Sequence, residues 1–320
     1  MKLCEHPDFD QAILRAADHF RGSGLRPALI EKDYFVTEAL RAIASAADDK
    51  VIFKGGTSLS KGWNLIQRFS EDIDIFFDPA TFDPPLGKNA IDRELKKLRD
   101  AVARVVGLDF LKDQSRTIGG FGRSDRFAYR QLFGGPGEVK AEVLVETGAA
   151  SGRQPTERRI LESYLARFLS DVGTSFGAED EAPFSMRLLH FRRTFVEKLF
   201  TIHAKVAMQP RLGGKLGSYA RHYYDLHRLV QREEVLTMLS SDEYAIIKAD
   251  YDSISKQSFG KDYHPPQGMT FRNSEALFPS PSLEAELAAE FESQCNAICY
   301  GPYPTWAQLR QEFEAIRHLL

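Results

Sequence analysis

Two aspartates separated by one residue, Asp72 and Asp74, stand at the start of the apolar segment "DIDIFF", residues 72–77. The alternation predicts a strand with Ile73 and Ile75 facing the core and both carboxylates on the other side. Carboxylates about 7 Å apart along a strand can converge on one or two divalent cations. Burying them together is costly unless a cation lies between them. The pair therefore predicts a site for Mg²⁺ or Mn²⁺.

A glycine turn, "KGGTSLSKG", precedes these aspartates. Gly55 and Gly56 lack Cβ atoms and would let a phosphate approach the backbone, while the hydroxyls of Thr57 and Ser58 and nearby N–H groups could donate to it. The turn is not a P-loop, because Lys61 is followed by glycine rather than Ser or Thr. Either motif alone would be a tight turn or two exposed aspartates on an edge strand. Together, in this order, they favour a metal–triphosphate site.

A third carboxylate would complete a two-metal site for an in-line displacement. Residues 138–146, "EVKAEVLVE", alternate as a strand. Glu142 lies on its polar face and is the first candidate, and Glu146 on the same face is the alternative. An exposed strand face without any metal remains a competing interpretation for both residues.

Periodicity divides the chain into a mixed α/β domain, residues 1–150, and a mainly helical domain, residues 151–320, a fold of the α/β (α+β) class. The predicted strands are 51–54, 72–77 and 138–146. The predicted helices are 28–47, 58–68, 88–106, 157–170, 186–208 and one that starts near Ser218. Pro210 and "GGKLGS" are expected to end the long helix.

The composition of the 320 residues, 43% hydrophobic and 27% charged, is that of a globular protein. No segment approaches the roughly 18 consecutive apolar residues of a membrane span, and the N-terminus lacks a signal-peptide core. We therefore expect a cytoplasmic protein without membrane contact. A net charge of −3 argues against a nucleic-acid coat protein, although it allows a local basic patch.

Four segments together resemble the AbiEii/AbiGii family of nucleotidyltransferase-like toxins, in the DNA polymerase β nucleotidyltransferase superfamily. "KGGTSLSKGWNLIQRFSEDIDIFF" resembles the first motif, and its "RFSEDID" wording is characteristic of the family. "VKAEVLVE" resembles the second motif and supplies Glu142. "VEKLFTIHAK" resembles the third, with Lys198, and "RHYYDLHRL" the fourth, with Arg221 and Asp225. This chain departs from the wider pattern by having Glu where the second motif often has Asp, and Arg228 near the place of a second fourth-motif aspartate.

The resemblance implies a nucleotidyltransferase fold, a mixed sheet with flanking helices, followed by the helical domain. It implies transfer of a nucleotide from an NTP to an acceptor hydroxyl, with release of pyrophosphate. The expected acceptor is RNA, at the 3′ end of tRNA. The expected biology is that of a toxin in a bacterial toxin–antitoxin or phage-defence system, with its antitoxin encoded nearby. Alternatives are transfer to a protein or small molecule, and a non-catalytic binding module of the same fold.

The resemblance also assigns roles in the helical domain. Lys198 would contact the triphosphate with Arg221 as a further nucleotide ligand, and Asp225 would orient Lys198 or a substrate hydroxyl. From the residues alone, Lys198 belongs to a polar helix stripe that could be solvated surface. Arg221 and Asp225, four residues apart, could equally form a surface ion pair.

A last segment, "RTIGGFGRSDRFAYR", residues 116–130, interleaves arginines with aromatic residues. This pattern suits single-stranded nucleic acid, through phosphate contact and base stacking. An exposed hairpin is the alternative interpretation.

Overall fold

The structure, a computed structural model, describes residues 1–70, 72–134, 139–212, 215–260 and 263–320. For residues 209–212 it describes only the backbone. Glu138, in a predicted strand, and the two glycines that begin "GGKLGS" lie outside the described residues. The chain forms two compact units. Unit 1 comprises residues 1–64 and 69–189, and unit 2 comprises residues 65–68 and 190–320.

Unit 1 consists of a mixed sheet and helices. Its elements are α1 (Phe9–His19), α2 (Pro27–Ala47), β1 (Val51–Lys54), α3 (Gly55–Lys61), β2 (Asp72–Phe77), α4 (Lys88–Val102), β3 (Asp109–Phe110), β4 (Arg116–Ile118), β5 (Gly122–Ala128), β6 (Glu142–Gly148), β7 (Thr156–Leu161), α5 (Tyr164–Asp171) and β8 (Phe184–Leu189). The predicted strands at 51–54 and 72–77 are confirmed with their bounds, and the predicted helix at 28–47 is confirmed within one residue.

The sheet has the strand order β3-β5-β6-β2-β1-β8-β7, and β4 pairs with β5. Strand β2 lies between β1, which is antiparallel to it, and β6, which is parallel to it. The interpretation of "DIDIFF" as an edge strand is therefore wrong. Its isoleucines, Ile73 and Ile75, are buried as predicted, because β2 is covered on that face by the core.

Unit 2 is helical among its described residues. Its elements are α6 (Phe191–Leu212), α7 (Arg221–Val230), α8 (Glu233–Leu239), α9 (Asp242–Phe259), α10 (Pro281–Ile298) and α11 (Trp306–Ile316). The long helix α6 buries Phe195, Leu199 and Ile202 at helical spacing. No helix in the described part of the chain is both long and apolar enough to cross a membrane. The mixed α/β fold followed by helices confirms the predicted fold class.

The predicted domain boundary at residue 150 is wrong. Strands β7 and β8, at 156–161 and 184–189, pair with each other, and β8 pairs with β1, so unit 1 extends to Leu189. The predicted helix at 157–170 is accordingly a strand followed by α5. The predicted helix at 186–208 begins only at Phe191 and continues past Pro210 to Leu212.

The predicted helix at 58–68 is also displaced. Helix α3 begins directly at Gly55 and ends at Lys61, and Trp63 and Ile66 lie in the irregular segment that follows. Leu59, Trp63 and Ile66 are all buried, and their spacing of four and three residues therefore resembles that of a helix. Asn64, between Trp63 and Ile66, has φ of 52°, a left-handed conformation that interrupts the helix.

Candidate functional site

Four carboxylates share one face of the sheet in unit 1, which we name the acidic face: Asp72, Asp74, Glu142 and Glu146. Residues in register on neighbouring strands project to the same side. Asp72 is in register with Leu144 and Asp74 with Glu146, so the side chains of Glu142 and Glu146 lie on the face of the two aspartates. All four carboxylates are partly accessible, because this face of the sheet is not fully covered.

The glycine turn lies against this face. Gly55 has φ of 77°, which favours glycine, and a Cβ there would lie 2.7 Å from Cγ of Asp74 and closer still to its Oδ2. The absence of a Cβ thus lets the turn and the second aspartate pack together. Lys54, which precedes the turn, is in register with Asp74, so the turn begins beside β2 and continues beyond its N-terminal end. The predicted proximity of glycine turn and carboxylates is present within unit 1.

The two hydroxyls of the turn have backbone partners. Thr57 Oγ1 donates to the carbonyl oxygen of Asp72, and Ser58 Oγ donates to that of Gly55 at 2.9 Å. Both side chains are buried. Thr57 therefore ties the turn to β2, which is a different use of the hydroxyl from the predicted one. Backbone groups of the turn remain the candidates for phosphate contact.

The two candidates for the third carboxylate occupy different places on β6. Glu146 lies directly beside Asp74. Glu142 begins the strand, and because β6 is parallel to β2 it lies toward the end where the glycine turn is found. Its Oε1 pairs with Nη1 of Arg126 on β5. The register thus gives both residues a place on the acidic face and leaves the choice between them a prediction.

The carboxylates of the acidic face can be compared with the ligands that a divalent cation needs. Among the residues that the structure covers, no group of three or more His, Cys, Asp and Glu side chains is gathered closely enough to hold a metal ion. Mg²⁺ needs only one or two protein carboxylates, because it completes its shell with water and substrate phosphate. Asp72 and Asp74, on one strand face beside the glycine turn, supply such a pair. The residues fit a cation that arrives with a nucleotide.

Three consecutive charged residues of α2 bind the segments that flank the acidic face. The Glu31 carboxylate accepts two backbone N–H bonds from the segment after β5. The buried Lys32 ammonium donates to the carbonyl oxygens of residues 140 and 142, at the start of β6. Asp33 pairs with Lys61, at the end of α3, at 2.6 Å. Helix α2 thereby fixes both the strand that begins with Glu142 and the helix that follows the glycine turn.

A second charged cluster lies in unit 2. Asp225 is completely buried on α7, and it accepts two hydrogen bonds from Arg68, from Nε at 2.6 Å and from Nη2 at 2.7 Å. Its Oδ2 also lies 2.7 Å from Nζ of Lys198 on α6. His222, one turn before Asp225, places Nδ1 3.0 Å from the same Nζ. Lys198 is 5% exposed, so the interpretation of its stripe as solvated surface is wrong at this position.

The charges of this cluster shift one another's pKa values. Burial alone would raise the pKa of the Asp225 carboxyl, but the positive charges of Arg68 and Lys198 outweigh it and hold that pKa well below its ordinary value. Burial lowers the pKa of Lys198, and Asp225 offsets only part of the change. Burial and the nearby Lys198 charge lower the pKa of His222 to about 3, so its imidazole is neutral near pH 7.

Arg221 opens α7 one turn before Asp225, and its charge contributes to the lowered pKa of Lys198. The carboxylate of Asp225 is occupied by Arg68, Lys198 and His222 rather than standing on an exposed helix surface. The alternative interpretation, a solvated ion pair between Arg221 and Asp225 on a helix surface, is therefore wrong for Asp225. Its predicted contact with Lys198 is present.

The arginines of residues 116–130 do not form one patch. Arg123 is buried and pairs with Asp125, whereas Arg126 projects to the acidic face and pairs with Glu142. Only Arg116 and Arg130 are exposed. A nucleic-acid contact through all four residues is excluded by this alternation along β5, because neighbouring residues of a strand face opposite sides.

Three residues of these two clusters were not identified from the sequence: Lys32, Arg68 and His222. Arg126 was included only as one of the arginines of residues 116–130, with nucleic acid as the expected partner. Arg68 and His222 stood within the quoted motifs, "RFSEDID" and "RHYYDLHRL", and His222 is three residues before Asp225, a spacing that brings side chains together on a helix. Lys32 gave no such signal, and nothing in residues 116–130 indicated that Arg126 would pair with Glu142. Their contacts depend on strand register and on packing between distant segments.

Comparisons with known proteins relate the chain to nucleotidyltransferase toxins by sequence and by fold. A sequence model of the nucleotidyl transferase AbiEii toxins of type IV toxin–antitoxin systems matches residues 38–314. The solved structure of MenT4, a nucleotidyltransferase toxin from Mycobacterium tuberculosis H37Rv, has a TM-score of 0.53 and 17% identity, covering 96% of this chain and 90% of that one. A second structure, from H. pylori and assigned as a nucleotidyltransferase, has a TM-score of 0.36 and 16% identity, covering 87% and 94%. No curated protein matches the chain significantly in sequence.

Proposed function

The chain belongs to the AbiEii family of nucleotidyltransferase toxins of type IV toxin–antitoxin systems, and we propose that it transfers a nucleotide from an NTP to the 3′ end of tRNA with a divalent cation. In this reaction the acceptor hydroxyl oxygen bonds to the α-phosphorus, the bond from that phosphorus to the bridging oxygen breaks, and pyrophosphate leaves. As a toxin of such a system, the protein has a cognate antitoxin as a partner.

The observation that carries the proposal is the packing of Asp74 against Gly55. It brings a carboxylate pair and a glycine turn together on the accessible face of β2, within one unit. Asp72 and Asp74 would hold Mg²⁺ or Mn²⁺, with Glu142 as the third carboxylate. When bound, the cation would neutralise phosphate charge and stabilise the developing charge on the oxygens of the transferred group. The backbone of Gly55 and Gly56 would contact the phosphates.

Lys198 and Arg221 are proposed as nucleotide ligands on the basis of the family motifs. The contacts of Lys198 within unit 2 support a positioned rather than a mobile ammonium, because Asp225 and His222 hold its Nζ. A preorganised cation can stabilise charge without the cost of reorganising at the moment of reaction. Asp225 would therefore be a positioning residue that acts through Lys198.

The tRNA acceptor and a role in phage defence are parts of the same proposal, and they are supported by the family resemblance alone. The cytoplasmic location is proposed from the sequence. Other acceptors would give a different product from the same chemistry. A labelled protein or a labelled small molecule would reveal them directly.

The test is a transfer assay with purified protein, each α-³²P-labelled NTP, Mg²⁺ and total tRNA. Label on RNA supports the proposal, label on protein or on a small molecule replaces the acceptor, and no label with any NTP contradicts it. Asp72→Asn and Asp74→Asn should each lower transfer by about 100-fold or more, as expected for loss of a metal ligand. Asp109→Asn, an exposed strand aspartate on β3, is the matched control. Near-normal transfer by a folded Asp72→Asn or Asp74→Asn variant would contradict the two-aspartate site.

A further inference from the structure

Arg126 lies in the same row of the sheet as Asp72. Strand β5 runs antiparallel to β6, and Arg126 is in register with Leu144, which is itself in register with Asp72. The three residues form one row across three neighbouring strands, with their side chains on the same face. Arg126 thus places a permanent positive charge on the acidic face, and its guanidinium pairs there with Glu142.

The Arg126–Glu142 pair differs from the other arginine–carboxylate pair of the same strand. Arg123 holds Asp125 through two hydrogen bonds of 2.7 and 2.9 Å, and both side chains are buried, with exposures of 6% and 2%. Arg126 and Glu142 keep exposures of 28% and 16%. An ion pair that stays in contact with water is held less tightly than a buried one, because the solvent screens the attraction between its charges. Arg126 can therefore exchange Glu142 for another partner. Arg123 and Asp125, in contrast, form an ion pair within the core.

The chemistry of Arg126 and Glu142 indicates which new partners each of them would take. A guanidinium presents the same planar pair of donors to a carboxylate and to a phosphate. A carboxylate that is paired with arginine is a poorer ligand for a cation, because its charge is already compensated. The arrival of a metal-bound triphosphate would give both groups a new partner of opposite charge.

We propose that Arg126 is a nucleotide-binding residue that neutralises Glu142 in the free protein and transfers to the triphosphate when the metal-bound nucleotide enters. This inference rests on the proposed function of the acidic face. It gives Arg126 two opposite effects, one on each ligand. The residue strengthens binding of the nucleotide and weakens binding of a divalent cation in the absence of nucleotide.

The test measures both effects in the intact chain. Arg126→Met removes the charge and keeps much of the side-chain length, and Arg158→Met is the control. Arg158 is also a strand arginine in ion pairs, with Asp48 at 2.9 Å and Asp49 at 2.6 Å, but it lies on β7 at the opposite edge of the sheet. Equilibrium binding of a non-hydrolysable Mg²⁺–NTP analogue should weaken by about tenfold or more in Arg126→Met, as for loss of a charged hydrogen bond.

Binding of Mn²⁺ alone, followed by electron paramagnetic resonance, should tighten several-fold in Arg126→Met. Adding Glu142→Gln to this variant should abolish the gain, because the released carboxylate is then absent. Unchanged nucleotide affinity would overturn the phosphate role of Arg126, and unchanged Mn²⁺ affinity would overturn its neutralising role. If Arg126→Met matches the parent protein in both while Asp72→Asn is inactive, this inference fails and the proposed function stands. If Asp72→Asn retains full transfer, the proposed function itself fails.

Discussion

The carboxylate of Asp74 occupies the space in which any residue other than glycine at position 55 would place its Cβ. Gly55 also has a positive φ, so two independent requirements meet at this residue. The lack of a Cβ determines how closely the turn approaches β2. The positive φ determines the direction in which α3 leaves β1. The separation between the glycine turn and the carboxylates is therefore determined by the absence of a single methyl group.

Gly55→Ala should consequently impair the site more than the fold. The left-handed backbone would cost about 1–2 kcal/mol of unfolding free energy. The new methyl group would displace the Asp74 carboxylate, and we expect transfer to fall by about tenfold or more, since misplacement by about 1 Å can cost 100-fold. Both quantities would be measured by urea unfolding and by the labelled-NTP assay.

Gly87→Ala is the control for this substitution. Gly87 precedes α4 with φ of −77°, and a Cβ there would meet no atom within 4 Å. It should leave transfer nearly unchanged and lower the unfolding free energy by no more than about 1 kcal/mol, because Gly87 is the N-cap of α4 and alanine caps a helix less well than glycine. Full transfer by Gly55→Ala would show that the position of Asp74 is not critical for the reaction.

In unit 1, a strand could be predicted from the sequence where apolar and polar residues alternate. The alternation of Asp72 and Asp74 with Ile73 and Ile75 identified β2 with its bounds, because one buried and one polar face leave few registers. The register that joins β2 to β6 was not accessible, since pairing between segments 70 residues apart along the chain depends on the whole sheet. Glu142 could be chosen as a candidate, but its contact with Arg126 could not.

The errors have a common physical origin. Trp63 and Ile66 are buried at helical spacing in a segment that is not helical, because tertiary packing buries them there. Residues 157–170 combine a charged edge strand with a short helix, and periodicity alone did not separate the two. The displaced domain boundary follows from that error, because β7 and β8 were not recognised as strands of the same sheet.

The third carboxylate can be identified by paired substitutions on β6. We expect Glu142→Gln to lower transfer much more than Glu146→Gln, because Glu142 lies toward the end of the sheet where the glycine turn is found. Both are conservative changes on the same strand face, so each serves as the control for the other. Single-turnover transfer at saturating Mg²⁺ would compare them. A larger loss in Glu146→Gln would transfer the role to the residue in register with Asp74, and equal mild effects would indicate a solvated face.

Lys198 offers a matched comparison within α6. Lys198→Ala should lower the transfer rate by about 100- to 1000-fold, as for loss of one preorganised electrostatic donor. Lys198→Arg should restore little, because a planar guanidinium does not replace a compact ammonium between Asp225 and His222. Lys205, seven residues further along, is only half-buried and lies over the ring of Tyr219, so Lys205→Ala should matter much less. Parental NTP binding and single-turnover transfer in Lys198→Ala would exclude Lys198 from the site.

The cluster around Lys198 should also make the stability of the protein sensitive to mild acid. His222 has a pKa of about 3 in the folded protein, against an ordinary value of 6.5, because it is buried and lies beside the Lys198 ammonium. Between these two values the unfolded chain binds a proton that the folded chain does not. The free energy of unfolding therefore has its full value above about pH 6.5 and decreases as the pH falls toward 3.

His222→Gln should remove part of this dependence, because an amide oxygen can still accept from Lys198 but does not titrate. From about pH 7 to about pH 4.5, the parent protein should lose about 1–3 kcal/mol more unfolding free energy than the variant, given about 1.4 kcal/mol for each pH unit over which one proton is taken up. Urea unfolding at both pH values gives the difference. His318→Gln, at an exposed position near the C-terminus, is the control and should retain the parental dependence. An equal loss of stability in His222→Gln and the parent would mean that His222 is not the group that takes up the proton on unfolding.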